Sequence, residues 1–266
     1  MSTLPPPATA QARPGPAGLI FLGFWALCAV ALAAYLLSRW DAALMARYTP
    51  VYLSGLWTTV SLVAISFALG ALLSVPIAIG RRSSNPIARG TSFAYVSFFR
   101  GTPLIAQIFL VYYGFGSFRA AFEAVNLWWF FREAWYCAIF AISLNTAAYQ
   151  AEILRGAVES VPRGQWEGGR SLGLPTPVIL ARIVFPQAMI VALRPYANEI
   201  ILLVKASAIV AIITVFDLMG ETRRAFGRTF DFQTYLWAAI LYLALVETLR
   251  HATNFVERRI TRHTQR

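Results

Sequence analysis

Six runs of apolar residues, around 19–38, 55–79, 91–115, 135–157, 188–214 and 234–256, set the terms on which this chain can fold. At 1.5 Å of rise per residue, each is long enough to cross a hydrocarbon core about 30 Å thick as a helix. The composition agrees: of 266 residues, 58% are hydrophobic, too many for an ordinary soluble domain. The reading is an all-α, multi-pass membrane protein with six transmembrane helices, joined by short connections into one membrane domain. The first run is not a signal peptide: it is too long for a leader's apolar core, and the Pro/Ala-rich stretch before it carries only Arg13. Residues 1–17 read as a disordered tail. Cys28 and Cys137 fall in or beside spans, so no disulfide framework is implied.

The net charge of +11 gains meaning once it is placed on that topology. With the N-terminus inside, the inner segments carry 13 basic residues, Arg81, Arg82, Arg89, Arg155, Arg163, Arg170 and Arg182 among them, against Glu159, Glu167 and Glu257. The outer segments carry 7 basic residues against Asp41, Glu123, Glu133, Asp217, Glu221 and Asp231. The basic excess therefore lies inside, which places both termini in the cytosol. Nucleic-acid binding does not account for this charge, because the arginines are scattered over separate loops with no basic module.

Several chemistries are missing. Lys205 is the only lysine and belongs to no Gly-x-x-x-x-Gly-Lys-Ser/Thr, so the chain has no phosphate-binding loop of that type. His251 and His263 are the only histidines and lie near the C-terminal end, which leaves no histidine metal site or catalytic base in the spans. No catalytic residue, metal ligand or cofactor site is expected in this chain.

Between Val158 and Ala188 the hydrophobic pattern gives way to a polar, Arg-rich insert punctuated by Gly and Pro. It reads as a loop with short helices outside the bilayer, on the cytosolic side by the charge count. Glu167-Gly168-Gly169 is followed by Gly173, and then by Ile183 and Pro186. This resembles the signature loop of the membrane subunits of ATP-binding-cassette importers: Glu-Ala-Ala, three residues, Gly, nine residues, Ile-x-Leu-Pro. The spacing is kept. Gly-Gly stands for Ala-Ala and Phe185 for Leu, and Gly in a helix costs up to about 1 kcal/mol relative to Ala.

The likeness runs over roughly residues 52–260. Phe99-Arg100-Gly101-Thr102-Pro103-Leu104, Leu144-Asn145-Thr146-Ala147-Ala148-Tyr149, Ser160-Val161-Pro162-Arg163-Gly164-Gln165 and Asn198-Glu199-Ile200-Ile201-Leu202-Leu203-Val204-Lys205 are similar to the polar-amino-acid branch, closest to the M-type subunit of histidine/lysine/arginine and opine importers. The resemblance implies a five-helix type I importer core plus one N-terminal helix. It divides the chain into a tail (1–17), an added helix and connection (18–51), a permease domain (52–257) with a coupling loop (158–187), and a basic cytosolic tail (258–266). It further implies a bacterial inner membrane and a polar, basic amino acid or opine as cargo. The implied partners are two ATPase subunits that hold ATP and magnesium, a second permease subunit, homologous or identical, and a periplasmic binding protein.

Ionisable groups in hydrocarbon need a partner or a polar cavity. Asn145, Tyr149 and Glu152 share one helix face by i, i+4, i+7 spacing. They read either as a stripe along the substrate path or as interhelical glue. Arg194, Asn198 and Lys205 share a face of the fifth span, with Glu199 beside it near the midplane; Glu199 reads as a path residue or as half of a buried pair. Arg100 opens the Gly-Thr-Pro break and would hold a carboxylate there, or pair with Glu199 or Glu152. The competing function is an ion-coupled secondary transporter, which predicts internal repeats; none is visible.

Overall fold

Proline, glycine and asparagine decide where each apolar helix starts and stops. The structure, a computed structural model, describes residues 15–38 and 42–261. The chain divides into two units, residues 1–47 and 48–266. The first holds helix α1 (Pro16–Ser38) and the start of α2 (Ala42–Arg81). Most of the expected connection before residue 52 is thus already helix; its Ala, Leu, Met and Arg are good helix formers. The expected tail at 1–17 lies largely outside the described residues.

In the second unit, α3 (Pro86–Gly101) starts with Asn85 as its cap, the side chain accepting from the amides of Ile87 (2.9 Å) and Ala88 (3.4 Å), and with Pro86 in the first turn. After the break at Thr102–Pro103 comes α4 (Leu104–Phe109), which runs on as a wider turn to Gly114. Two short helices follow, α5 (Arg119–Ala124) and α6 (Trp128–Phe131), and then the long α7 (Ala134–Glu159). The insert forms α8 (Arg163–Ser171) and the single turn α9 (Thr176–Val178). A wide turn, Ile179–Val184, leads into α10 (Phe185–Ser207). A tight turn, Ala208–Ile213, precedes α11 (Leu218–Thr229), and α12 (Gln233–Thr261) follows.

Among the described residues, four helical stretches are long and apolar enough to cross a membrane: Pro16–Ser38, Ala42–Arg81, Ala134–Glu159 and Thr176–Ile213. The pair Pro86–Gly101 and Leu104–Gly114, bent by 106°, makes a fifth if it counts as one span. The sixth expected span is a single helix of 29 residues, but Glu247, Arg250 and His251 dilute its hydropathy below that of the others. Its helix continues to Thr261, so the beginning of the expected basic tail is ordered.

Helix α7 sits at the centre of the second unit because its packing face is small. Ala138, Ala141, Ala147, Ala148 and Ala151 are all buried, and small residues let backbones approach closely. Gly70 on α2 completes the contact: a Cβ there would lie 2.4 Å from Thr146 Cγ2. The main core joins Leu62 and Val63 of α2, Ile108 of α4, Ile142 of α7, and Leu203 and Val204 of α10. A second apolar cluster, around Ala157, Val161, Ile179, Val184 and Ala188, anchors the insert.

Candidate functional site: a helix break, an open cavity and a cytosolic-type loop

Pro103 forces Thr102 into an extended conformation (φ −113°, ψ 147°) and ends α3. Carbonyls freed at such a break need donors, since hydrocarbon supplies none. Gln107 Nε2 donates to Phe99 O (3.0 Å) and Thr102 O (3.2 Å). Asn145 Nδ2 donates to the same Phe99 O (3.0 Å) and to Gln107 Oε1 (2.9 Å). Asn145 thus bonds from α7 to the broken helix and to α4. Gln107 was not singled out by sequence reasoning, although a glutamine inside an apolar run was a usable signal.

Arg100, the last cation before the break, turns outward. It is exposed, and its guanidinium carbon lies 5.2 Å from the Tyr149 ring centroid. Among the described residues no carboxylate lies within ion-pair distance of it, so no direct ion pair joins it to Glu199 or Glu152, although its charge reaches the Glu199 carboxylate. Arg100, Tyr149 and Glu152 meet around an open cavity of about 430 Å³, closed on the other side by Val191, Ala192 and Pro195 of α10. Glu152 does not face this cavity as a free charge. Its Oε1 accepts from Arg81 Nε (2.9 Å) and its Oε2 from Arg155 Nη2 (2.8 Å), arginines that sequence reasoning left in loops. Pro195 lacks an N–H, so the carbonyl of Val191 loses its i+4 donor beside the same cavity.

Helical phase separates the remaining candidates. Val191, Pro195, Asn198, Leu202 and Lys205 are exposed at i, i+4, i+7, i+11 and i+14, one continuous face of α10. Glu199, about 100° further round, points into the bundle. It is 8% exposed and accepts from Thr146 Oγ1 at 2.8 Å. Gln150 extends this chain, donating to Thr146 Oγ1 (3.1 Å) and Phe67 O (3.1 Å). The structure thus gathers Arg100, Tyr149 and Glu152 at the cavity and places Asn198 and Lys205 along the same exposed face. Asn145 and Glu199 lie behind it. Arg194 is paired with Glu257 at 2.6 Å.

In the insert, α8 ends in a Schellman turn: the amide of Leu174 donates to Gly169 O (3.1 Å) and that of Gly173 to Arg170 O (2.9 Å). Gly173 takes φ +70°, the left-handed conformation that this turn needs and that glycine adopts without steric cost. The two glycines inside α8 differ. Gly168 has open space where a Cβ would be, whereas a Cβ on Gly169 would lie 2.9 Å from Ile179 Cγ1. Glu167, Gly168, Arg170 and Leu172 form an exposed tip, with Leu172 at 78% exposure. Ile183 is half-buried in the second apolar cluster, and Pro186 lies exposed in the first turn of α10.

Residues 66–262 match the family described as "Binding-protein-dependent transport system inner membrane component". The nopaline transport system permease protein NocM of Agrobacterium fabrum is 40% identical over 204 residues, 76% of this chain and 85% of that protein. The arginine ABC transporter permease protein ArtM of Escherichia coli is 34% identical over 215 residues, 81% of this chain and 96% of that protein. A crystal structure of an amino acid ABC transporter with histidines superposes with a TM-score of 0.73 at 30% identity, covering 83% of this chain and 99% of that one. The methionine transporter MetNI, at 20% identity and a TM-score of 0.68, shares the fold. With most of its length and its type I importer helices in agreement, the chain belongs to the inner-membrane components of binding-protein-dependent transport systems, the permease subunits of ATP-binding-cassette importers, which leave ATP hydrolysis to a separate subunit.

Proposed function

We propose that this permease subunit carries a polar, basic amino acid or opine, taking its carboxylate at Arg100. The observation that carries the reading is Arg100 itself: an outward-facing cation with no carboxylate within ion-pair distance, on a 430 Å³ cavity that also holds Tyr149 and Glu152. Exposed charge at membrane depth needs a polar surface opposite. A second permease subunit, homologous or identical, facing the Asn198–Lys205 side of α10 supplies one and closes the path. The ring of Tyr149 suits a guanidinium or ammonium group, and the Val191 carbonyl offers an acceptor for an amino group. The tip of α8 docks on one of two ATPase subunits, which bind ATP and magnesium, and a periplasmic protein delivers the cargo. Relatives named for nopaline and arginine support the substrate class.

The orientation proposed has six spans, α12 being the last, with both termini and the coupling loop in the cytosol. The test is direct binding of arginine and of agmatine, which lacks the carboxylate, to the solubilised complex without its binding protein. A charge-assisted hydrogen bond is worth about 1.5–3 kcal/mol, so arginine should bind roughly 10- to 150-fold more tightly. Arg100→Gln should abolish that preference. An unchanged preference in the variant would remove Arg100 from the site.

A further inference from the structure

On the side of α10 opposite the polar stripe, Met189, Leu193, Tyr196 and Ile200 recur at i, i+4, i+7 and i+11. With Phe67, Ala71 and Val75 of α2 and Val256 of α12 they line an apolar groove of about 520 Å³. The groove does not end blindly. Val75, Leu154 and Phe185 also line a second cavity, of about 350 Å³, which holds Arg82, Ser83 and Arg155. The two form one track, apolar along its length and basic at the coupling-loop end.

Its dimensions are those of a lipid leaflet. From Phe67 to Arg82 is 15 residues of α2, about 22 Å of helix. Half of a bilayer 40–45 Å thick, headgroups included, is about 20–22 Å. The charge at the basic end is not cancelled. Arg155 is taken up by Glu152 (2.8 Å) and Glu159 (2.6 Å), while Arg82 reaches Glu159 only at 3.9 Å and otherwise stacks 5.8 Å from the Trp166 ring. Arg81, Arg82 and Arg155 face Glu152 and Glu159, which leaves one positive charge at the mouth. We propose that this track holds one anionic phospholipid of the inner leaflet, its acyl chain along α2, α10 and α12 and its phosphate at Arg82. The assignment to the inner leaflet rests on the orientation proposed above. Phe185 and Leu180, which belong to the segment following the coupling helix, border the basic end, so the lipid braces the base of that loop.

The test counts lipids. The complex assembled with its ATPase is delipidated in detergent and offered dioleoylphosphatidylglycerol or dioleoylphosphatidylcholine, and native mass spectrometry reads the lipid retained per copy of this chain. Wild type should keep one phosphatidylglycerol in preference to phosphatidylcholine. An arginine near an anionic headgroup supplies about a fivefold preference, so Arg82→Gln should lower the selectivity about fivefold. Ala71→Trp, which fills the groove at a separate point, should lose retention of both lipids. Equal retention of the two lipids by wild type would overturn the proposal, as would wild-type retention in both variants. So would oxidative cross-linking of Ala71→Cys to Cys28, which would put α1 in the groove. Because the assay reads lipid and not cargo, failure of the substrate assignment would leave its outcome unchanged, and the reverse also holds.

Discussion

The two glycines inside α8 should respond in opposite directions to the same substitution. Gly168→Ala adds a methyl group where nothing lies within 4 Å, so the helix gains the propensity difference, up to about 1 kcal/mol. Gly169→Ala gains the same amount but drives its Cβ to 2.9 Å, 3.1 Å and 3.3 Å from three carbons of Ile179. That side chain is fully buried, and a β-branched residue has little χ1 freedom with which to swing away. Overpacking of this kind costs about 1–3 kcal/mol, which outweighs the propensity gain and leaves a net loss of up to about 2 kcal/mol. Hydrogen exchange over residues 163–175 in the assembled complex reads this local stability. Protection should rise about fivefold in Gly168→Ala and fall, by up to about 30-fold, in Gly169→Ala. A Gly169→Ala/Ile179→Ala cycle should show the two sites coupled by more than about 0.5 kcal/mol. Greater protection in Gly169→Ala, as in Gly168→Ala, would refute the packing argument and leave only helix propensity.

Gly173→Ala should cost about 1 kcal/mol through its φ of +70°, and Gly173→Asp should insert normally yet uncouple ATP hydrolysis from transport in proteoliposomes; normal transport per ATP would exclude the docking role. Asn145→Ala takes from Gln107 Oε1 its donor, while Phe99 O keeps the one from Gln107, a loss of about 1–3 kcal/mol that should lower thermal stability without reordering substrates. Glu199→Gln should likewise act on every substrate alike in uptake of arginine, histidine and glutamine normalised to assembled complex; selective loss of the cationic ones would return Glu199 to the path. Cysteines placed at Ser171 and Thr264 should react only from the cytosol and one at Ser117 only from outside, and outside labelling at Ser171 in intact cells would overturn the six-span orientation.

The features legible in sequence were those set by local chemistry. The break at Gly101-Thr102-Pro103 could be read because Pro103 restricts its predecessor wherever it occurs. The Gly and Pro punctuation of the insert marks it as a loop with short helices, and Gly173 turns the chain there. What the sequence left open was the identity of partners. Spacing puts Glu152 on one face with Asn145 and Tyr149, but it does not show that Arg81, 71 positions earlier, closes on it. Glu199 and Asn198 are neighbours in sequence yet point about 100° apart, one into the bundle and one out of it. Periodicity places residues on a shared face; it does not say which face packs. Helix α2 begins at Ala42, well before the apolar run at 55–79, and continues through Pro50.

Helical phase on α10 accounts for such different residues in so short a stretch. Pro195 is an expensive choice inside a helix, at about 3 kcal/mol, and it sits on the exposed side, against the cavity that holds Arg100. There the missing N–H leaves a carbonyl acceptor within the same cavity as a guanidinium. An amino acid brings one carboxylate and one ammonium group, and a guanidinium beside a carbonyl is the complementary pair. On the opposite side of the helix the residues are apolar and the groove is lipid-sized; between the two sides, Glu199 and Thr146 tie α10 to α7. Substitutions on α10 should therefore sort by helical angle, not by neighbourhood in sequence. On the proposals above, substitutions at 191, 195, 198 and 205 should alter cargo handling, those at 189, 193 and 200 lipid retention, and that at 199 assembly.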